Sequence, residues 1–374
     1  MLLVIGCRAA KLPLNINWNF FIASYWGGLA VRALFLATLL YVIGFPAAET
    51  VVPVWKRYCS EKARYLVFAV FAAWMILQFG FELGLMIVVD GIALAELIDR
   101  TNGSLDRIKG ALSSVLPSAI YLFFGLVAMF CANDLIASVR VIWAYDDLFL
   151  KIDSWMLHGH SISALAHWVA ANVNVRVFDF AEFIYYGMFA QIGAALILIS
   201  MWCGKKESLR YAGTILTAYV IALVIFYFWP SMGPFFTCSS HFAVFPKSLA
   251  TYNIQQTAIL KAKLLRTSYK QFNQISSDYF IAFPCMHIAQ PLVVLWSLRR
   301  WKRIAIFLIV YDLLLIPAIL VLEWHYVCDV VAGILVAVVA ISLNEKRGSF
   351  AHQQSSNATE IRDSAEIPTH SARD

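Results

Sequence analysis

Long apolar runs recur along this chain and constrain its fold more than any other feature. They lie at 28–48, 65–89, 111–132, 178–202, 211–229, 284–298, 304–322 and 326–343. A run of about 20 apolar residues with few charges is typical of a transmembrane helix, and backbone groups in lipid must be satisfied within their own segment. Only 14% of the residues are charged, which leaves too little polar surface for a soluble domain. The sequence therefore predicts an all-α integral membrane protein with about eight transmembrane helices.

Basic residues cluster after alternate apolar runs and indicate an orientation. The clusters are "CGKKESLR" (203–210), "LRRWKR" (298–303) and "NEKR" (344–347). Because Lys and Arg concentrate in cytoplasmic loops, this side is expected to be the cytoplasmic face of an inner or plasma membrane. The linkers 231–283 and 323–325 would then lie on the extracytoplasmic side. One basic loop, "WKRYCSEKAR" (55–64), disagrees with this alternation.

The apolar runs divide the chain into three regions. Residues 1–110 hold two runs, and residues 111–345 hold six runs with every motif of interest, so these six are expected to form the core. The tail 346–374 is polar and is predicted to be disordered. Within the core region, 145–173 has apolar residues at helical spacing with Asp and Lys between them. It is too charged to span and predicts an amphipathic helix in the membrane interface.

Ionisable residues inside apolar runs are costly and mark candidate functional positions. His325 and Asp329 are four residues apart, so on a helix they would share one face. The aspartate would accept a hydrogen bond from one ring nitrogen, which leaves the other nitrogen free to attack or to take a proton. Gly333, one turn further on, would let a neighbouring helix approach closely. Asp312 could hydrogen-bond a neighbouring helix or Tyr311, or act behind the site, and a structural role is expected.

A second histidine stands at the start of another apolar run, in "FPCMHI" (283–288). Pro is favoured in the first turn of a helix, so Pro284 is predicted to open this one. Free amides at a helix N-terminus bind phosphate, and His287 beside them could protonate a departing alkoxide. Both histidines belong to helices whose outer ends face the same compartment, so they can meet.

Two other interpretations remain open for these residues. They could be buried polar groups that join helices through hydrogen bonds. They could also form a metal site from His287, His325, Asp329 and Cys285. The spacing is not a usual metal pattern, so neither a metal nor another cofactor is expected.

The two phrases carry a resemblance to a known family. "FPCMH" (283–287) and "HYVCDVVAG" (325–333) resemble the second and third motifs of the type 2 phosphatidic acid phosphatase superfamily, commonly written PSGH and SRxxxxxHxxxD. The most similar branch is that of inositol phosphorylceramide synthase and its bacterial relatives. "YFWPSMGPFF" (227–236) and "DDLFLKIDSWMLHG" (146–159) also resemble phrases of that branch. The similarity covers about 140–340.

The resemblance implies a six-helix core with an active site at the membrane surface and a two-step, metal-independent phosphoryl transfer. By that analogy His325 attacks phosphorus and forms a phosphohistidine while Asp329 orients it. His287 protonates the leaving group and then deprotonates the acceptor. The substrate would be a lipid phosphate, and the acceptor either water or a lipid or polyol alcohol. No nucleic-acid partner is expected.

The chain departs from the family pattern at the phosphate-binding positions. Cys285 and Met286 stand where the second motif has Ser and Gly, and a thiol is a weaker hydrogen-bond donor than a hydroxyl. Ile319 stands where the third motif has Arg. Arg266 and Lys270 in the linker are therefore the candidate cations for the phosphoryl group. They could equally belong to a basic helix lying on anionic headgroups.

Two functional hypotheses follow. The first is a membrane lipid phosphatase or phospho-headgroup transferase similar to inositol phosphorylceramide synthase. The alternative is a catalytically inactive membrane relative that acts in lipid binding or transport, and the departures at Cys285, Met286 and Ile319 favour it.

Overall fold

The structure is a computed structural model that describes residues 105–140, 143–237, 245–247, 249, 251–256, 259 and 282–365. The predicted spans 28–48 and 65–89, most of the region 1–110, and the linker cations Arg266 and Lys270 lie outside the described residues. The assignments made for them stay predictions.

Within the described ranges the chain is helical and contains no strand. The helices are α1 (Leu105–Val139), α2 (Asp146–Met156), α3 (Ile162–Asn172), α4 (Arg176–Phe228), α5 (Pro234–Thr237), α6 (Met286–Leu298), α7 (Lys302–Val321) and α8 (Val327–Ala365). The all-α class is therefore confirmed for the described part of the chain. The tail predicted to be disordered from residue 346 stays a prediction, and α8 is described as far as Ala365.

Helix α4 contains two of the predicted spans, and the chain reverses between them. Its 53 residues are interrupted at Gly204, where φ is 81° and ψ is −179°, a conformation that favours glycine. The Tyr211 hydroxyl donates to the Ile192 carbonyl oxygen at 3.1 Å. In a straight helix these residues would be roughly 28 Å apart along the axis, so the contact requires the two halves to pack against each other.

Several helices have the length and composition of membrane spans. Among the described residues, three helices are long and apolar enough to cross a bilayer, namely Arg176–Phe228, Lys302–Val321 and Val327–Lys346, and two shorter apolar helices lie at Val115–Met129 and Met286–Leu298. Apolar side chains of α7 and α8 also point outward, since Phe307 is 65% exposed and Leu335 is 61% exposed. An apolar exterior is stable only in lipid, so the chain is an integral membrane protein. The exact number of spans stays a prediction.

The buried apolar side chains of the described residues form two clusters. One cluster includes Leu196, Tyr211 and Leu298 from α4 and α6. The other includes Phe178, Phe226 and Trp324. Most of α6 is buried between its neighbours. This places both ends of α6 where the surrounding helices can contact them.

The three basic clusters meet at one end of the bundle. Arg299 pairs with Glu345 at 3.4 Å, and Arg210, Arg299 and Arg300 line a single cleft there. The N-termini of α6 and α8 lie at the other end, together with the C-terminus of α7. The predicted clustering of the basic loops on one side is therefore confirmed, while the assignment of that side to the cytoplasm stays a prediction.

The segment predicted as one amphipathic helix consists of two helices, α2 and α3, with a turn at Gly159, where φ is 94°. Two tryptophans point outward, with Trp155 81% exposed and Trp168 58% exposed. The acidic residues Asp146 and Asp153 point inward and are buried. The pattern of a simple amphipathic helix, with its charged residues facing solvent, therefore does not describe these two. Their carboxylates are buried because backbone amides and hydroxyls of other segments surround them.

Candidate active site

The start of α8 positions the two residues of the "HYVCD" phrase. The predicted contact between His325 and Asp329 is confirmed, with Nδ1 3.3 Å from Oδ2, although His325 precedes the helix, which begins at Val327. The Asp329 Oδ2 atom accepts a hydrogen bond from the Tyr326 backbone N–H at 2.9 Å. This is the return half of a capping box, in which the third helical residue bonds the N-cap amide. The bond folds the chain back so that His325 reaches Asp329 without helical geometry.

A carboxylate from α2 satisfies the next two amides of α8. Asp153 accepts from the Val327 N–H at 2.9 Å and from the Cys328 N–H at 3.1 Å. The first amides of a helix have no partner within the helix, and a negative charge there also interacts favourably with the helix dipole. Asp153 is thus a positioning residue for His325, and its role was not predicted from the sequence.

The hydrogen bonds of His325 fix its tautomer. Its Nδ1 lies 2.8 Å from the Ala282 carbonyl oxygen and 3.3 Å from Asp329 Oδ2. A carbonyl oxygen only accepts, so Nδ1 carries the proton and Nε2 keeps its lone pair. Burial lowers the pKa of His325 to about 3, so the imidazole is neutral near pH 7. A neutral, oriented imidazole with one unprotonated nitrogen has the form that a nucleophile requires.

His287 faces this lone pair from α6. Its Nδ1 is 2.8 Å from His325 Nε2, so the predicted convergence of the two imidazoles is confirmed, while their catalytic roles stay predictions. The helix starts at Met286 with Cys285 as the N-cap. The prediction that Pro284 opens α6 is therefore wrong, because Cys285 is still extended, with φ −71° and ψ 102°. His287 remains in the first turn.

Two aromatic residues that the sequence analysis did not identify form a wall of the site. The Tyr185 ring centre lies 4.7 Å from that of His287. The Trp324 ring stacks on that of Tyr185, with ring centres 5.6 Å apart and an interplanar angle of 6°. Tyr185 is one of many aromatic residues in α4, so the sequence contained no signal that separated it from lipid-facing ones.

The structure describes two of the four residues predicted to bind phosphate, Cys285 and Met286. Cys285 is fully buried and Met286 is 4% exposed. The Cys285 backbone N–H donates to the Asp329 carbonyl oxygen at 3.1 Å, so this amide joins α6 to α8 and is already engaged. Phosphate binding by Cys285 and Met286 stays a prediction.

Three potential metal ligands meet at the same place. One ligand atom each from Cys285, His287 and His325 lies within 4.8 Å of the others. Sulfur and imidazole nitrogen are the donors that zinc prefers. The same groups can therefore serve either phosphoryl chemistry or metal coordination.

Asp146 joins the site to the loop after α4. Its carboxylate accepts from the Ser231 hydroxyl at 2.9 Å and from the Met232 and Gly233 amides at 3.0 and 2.9 Å. It also accepts from the Tyr326 hydroxyl at 3.1 Å. Burial raises the pKa of Asp146 to about 6 and these donors partly offset that rise, so the group is ionised near pH 7. The "WPSMG" phrase is thus held against the residue that follows His325.

Comparison with known families shows which family the chain belongs to. Residues 148–343, more than half of the chain, match the family model described as the PAP2 superfamily. The chain belongs to the PAP2 superfamily. The predicted superfamily is thereby confirmed, but the inositol phosphorylceramide synthase-like branch is not. No curated protein and no solved structure is significantly similar to the chain.

Membership of the PAP2 superfamily supports an enzyme. Its members are phosphatases or phosphotransferases, and the match suggests phosphatase-type activity on a lipid phosphoester. The matched residues 148–343 include Asp153, His287, His325 and Asp329. The paired histidines therefore lie within the PAP2 region of the chain.

Asp312 has a structural partner in this PAP2 fold. Gln191 Nε2 on α4 donates to Asp312 Oδ1 on α7 at 3.2 Å. The expected hydrogen bond between Asp312 and a neighbouring helix is therefore confirmed.

Glu323 should make stability depend on pH. The residue is fully buried, has φ 56°, and neither carboxylate oxygen has a partner of normal hydrogen-bond geometry among the described residues. Burial raises the pKa of Glu323 to about 7, with a small opposing effect of Ser163. Because the folded state holds the proton more tightly, stability falls as pH rises from about 4.5 to about 7. We expect Glu323→Gln to gain about 3 kcal/mol at pH 8 and almost nothing below pH 4.5.

Thermal unfolding of the detergent-solubilised protein at several pH values measures this effect. The matched control is Glu207→Gln, since Glu207 is 36% exposed and pairs with Arg210 at the basic end. Equal gains for both variants, or a Glu323→Gln gain that does not change with pH, would contradict the assignment.

Gly333→Ala should separate α6 from α8. A Cβ at residue 333 would overlap the Cys285 carbonyl oxygen, which is backbone and cannot rotate away. We expect a loss of about 1–3 kcal/mol, as for other overpacked sites, and lower activity because His287 moves with α6. Gly213→Ala is the control, since the nearest atoms to its Cβ would be 3.9 Å away. Denaturation in detergent should show a loss for residue 333 alone, and a stable Gly333→Ala variant would refute the close approach.

Proposed function

We propose that the chain is a metal-independent lipid phosphatase or phospho-headgroup transferase that works through a phosphohistidine on His325. The single observation that carries this proposal is the 2.8 Å contact between His287 Nδ1 and His325 Nε2. It brings a nucleophile and a proton-transfer group to one point, within reach of a single phosphoryl group.

In the first step His325 Nε2 attacks phosphorus and the bond from phosphorus to the leaving alkoxide breaks. His287, held as the imidazolium by the charge of the bound phosphate, donates one proton to that alkoxide and becomes neutral. The Nδ1 proton of His325 stays bonded to Ala282 and Asp329, which stabilises the phosphorylated ring. Because His325 is only 1% exposed, the phosphoryl group must displace the hydrogen bond between the two imidazoles as it enters.

In the second step His287 takes a proton from the acceptor, whose oxygen attacks phosphorus. The bond from phosphorus to Nε2 breaks and His325 is restored. Water as acceptor gives a phosphatase, and a lipid or polyol alcohol gives a transferase such as an inositolphosphotransferase. The resemblance to inositol phosphorylceramide synthase favours the second.

The negative charge of the phosphoryl group needs nearby cations. Arg266 and Lys270 in the linker are proposed for this role, with Cys285 and Met286 at the N-terminus of α6. Phosphate here also benefits from the positive end of the α6 dipole.

The proposed active site faces the extracytoplasmic side. The histidines lie at the end of the bundle opposite the basic cleft formed by Arg210, Arg299 and Arg300. If that cleft is cytoplasmic, as the distribution of Lys and Arg favours, the substrate is a lipid phosphate of the outer leaflet.

The second candidate is a lipid-binding or transport relative without catalysis. The buried Cys285 in place of the family Ser and the closed contact between the histidines favour it. Membranes containing the protein should be incubated with labelled lipid phosphates and candidate alcohols, and the products separated by thin-layer chromatography. Vanadate-sensitive release of phosphate or a new phospholipid supports the enzyme, whereas unchanged substrate across all lipid classes supports the binding protein.

His287→Ala is the variant that tests the proton-transfer role. We expect a loss of about 10²–10⁴-fold in turnover, the usual contribution of a general acid–base. The loss should be smaller for substrates with a good leaving group such as p-nitrophenol, because that alcohol departs without a proton. An equal loss for all leaving groups would contradict the role of His287 as an acid.

A further inference from the structure

The cluster of Cys285, His287 and His325 has the composition of a zinc site. Their ligand atoms lie within 4.8 Å of one another. In a tetrahedral site, Zn–N distances of about 2.0–2.1 Å and Zn–S of about 2.3 Å place ligand atoms roughly 3.3–3.6 Å apart. The two imidazole nitrogens are 2.8 Å apart, so they would need to separate by only about half an ångström to admit the ion.

The surroundings also suit a metal. His325 Nδ1 is bonded to Ala282 and Asp329, and a carboxylate or carbonyl behind a histidine ligand is the usual partner that fixes its tautomer. Cys285 is the N-cap of α6, so its side chain stands at the positive end of the helix dipole, where a negatively charged group is favoured. The His325 donor is thus held in place by its partners, and the Cys285 donor is fixed at the start of a helix.

We propose that Cys285, His287 and His325 bind a divalent, thiophilic metal ion, with Zn²⁺ the best match, and that the bound ion inhibits the enzyme. Coordination occupies His325 Nε2 and His287 Nδ1, the two atoms that the proposed reaction requires. The fourth position is left to water. The proposal goes beyond the proposed function, and metal binding can be tested without any activity.

Metal binding should also change the protonation of the ligands. The Cys285 thiol loses its proton to solvent when sulfur binds the ion. His325 binds as the neutral Nδ1–H form that it already has, and His287 binds through Nδ1 after its proton moves to Nε2. One proton is therefore released to solvent for each ion bound.

The experiment uses the full chain, purified in detergent and stripped of metal with a chelator. Co²⁺ is the probe, because a thiolate ligand gives a charge-transfer band in the near ultraviolet and a tetrahedral site gives intense visible bands. We expect both bands at one equivalent, and their loss when Zn²⁺ is added. Cys285→Ser should remove the thiolate band and weaken Zn²⁺ binding by more than about 100-fold, a larger effect than that of losing an outer partner.

Cys203→Ser is the matched control. Cys203 is also a free cysteine but lies at the basic end of the bundle near Arg300, so its replacement should leave the Co²⁺ spectrum unchanged. Size-exclusion chromatography and thermal unfolding check that Cys285→Ser remains folded. Asp329→Asn, which keeps the shape of the side chain, should weaken binding by about 10–100-fold.

The outcomes separate this proposal from the proposed function. A wild-type spectrum without the thiolate band, or a band that survives in Cys285→Ser, overturns the metal site. Where activity is measured, Zn²⁺ should inhibit the wild type at concentrations that leave Cys285→Ser uninhibited relative to its own rate. A protein that binds Co²⁺ as expected but turns over no lipid phosphate keeps the metal site and refutes the proposed function.

Discussion

Replacement of His325 by alanine should reduce turnover of lipid phosphate by about 10⁴-fold or more, the scale seen when a catalytic nucleophile is removed. The physical reason is the loss of Nε2, whose lone pair is oriented by the bonds of Nδ1 to Ala282 and Asp329. Initial rates of product formation in mixed micelles measure the effect. His160→Ala is the control, because His160 is exposed in the turn between α2 and α3.

The fold of the variant must be verified before its rate is interpreted. A folded His325→Ala protein shows the same elution volume as wild type. Wild-type rates in such a protein would remove the nucleophile from the mechanism, whereas a loss shared by His160→Ala would indicate a general effect of histidine removal.

Replacement of Asp146 by alanine should cost about 4 kcal/mol of stability, a large value for one side chain. Four donors converge on its carboxylate: the Ser231 and Tyr326 hydroxyls and the Met232 and Gly233 amides. Each buried donor left without a partner costs about 1–3 kcal/mol, although the two hydroxyls can rotate to other acceptors. We also expect weaker catalysis, since Tyr326 is the residue after His325.

Asp147→Ala is the matched control for this variant. Asp147 is the next residue on α2 but is exposed, so its loss should change stability by less than about 0.5 kcal/mol. Thermal or denaturant unfolding in detergent measures both variants. Comparable losses at residues 146 and 147 would refute the anchoring role of Asp146.

The different environments of Asp146 and Asp147 could not be predicted from the sequence, although the helical fold could. The apolar runs predicted the all-α membrane fold because lipid leaves a spanning segment few alternatives to a helix. Asp146 and Asp147 are chemically identical neighbours, so only the tertiary structure distinguishes the buried anchor from the solvated charge. The periodic pattern of 145–173 predicted a helical segment but did not show that Asp146 and Asp153 are buried.

The candidate site was predictable in part. His287 and His325 could be paired because both precede or begin apolar helices whose outer ends share one side, and ionisable groups there are costly without a reason. The local geometry was not predictable. His325 is held by a helix cap instead of a helical face, since the Tyr326 N–H bonds Asp329, and Cys285 instead of Pro284 caps α6.

The groups supporting the histidines were missed for a different reason. Asp153 acts on α8 from α2, across 174 residues of sequence, and Tyr185 contacts His287 from α4. Contacts between distant segments leave no local pattern in a single sequence. Only the tertiary structure shows these contacts, which hold the two imidazoles in the fixed orientation that a reaction between them and a substrate needs.

The proposed chemistry is tested most directly by trapping the covalent intermediate. The wild-type protein is incubated briefly with a radiolabelled lipid phosphate, denatured in alkali, digested and analysed by mass spectrometry for the label. We expect an acid-labile, alkali-stable phosphoryl group on His325 that is absent from His325→Ala and that decays when an acceptor is supplied. Turnover without any label on His325, or label on another residue, would contradict it.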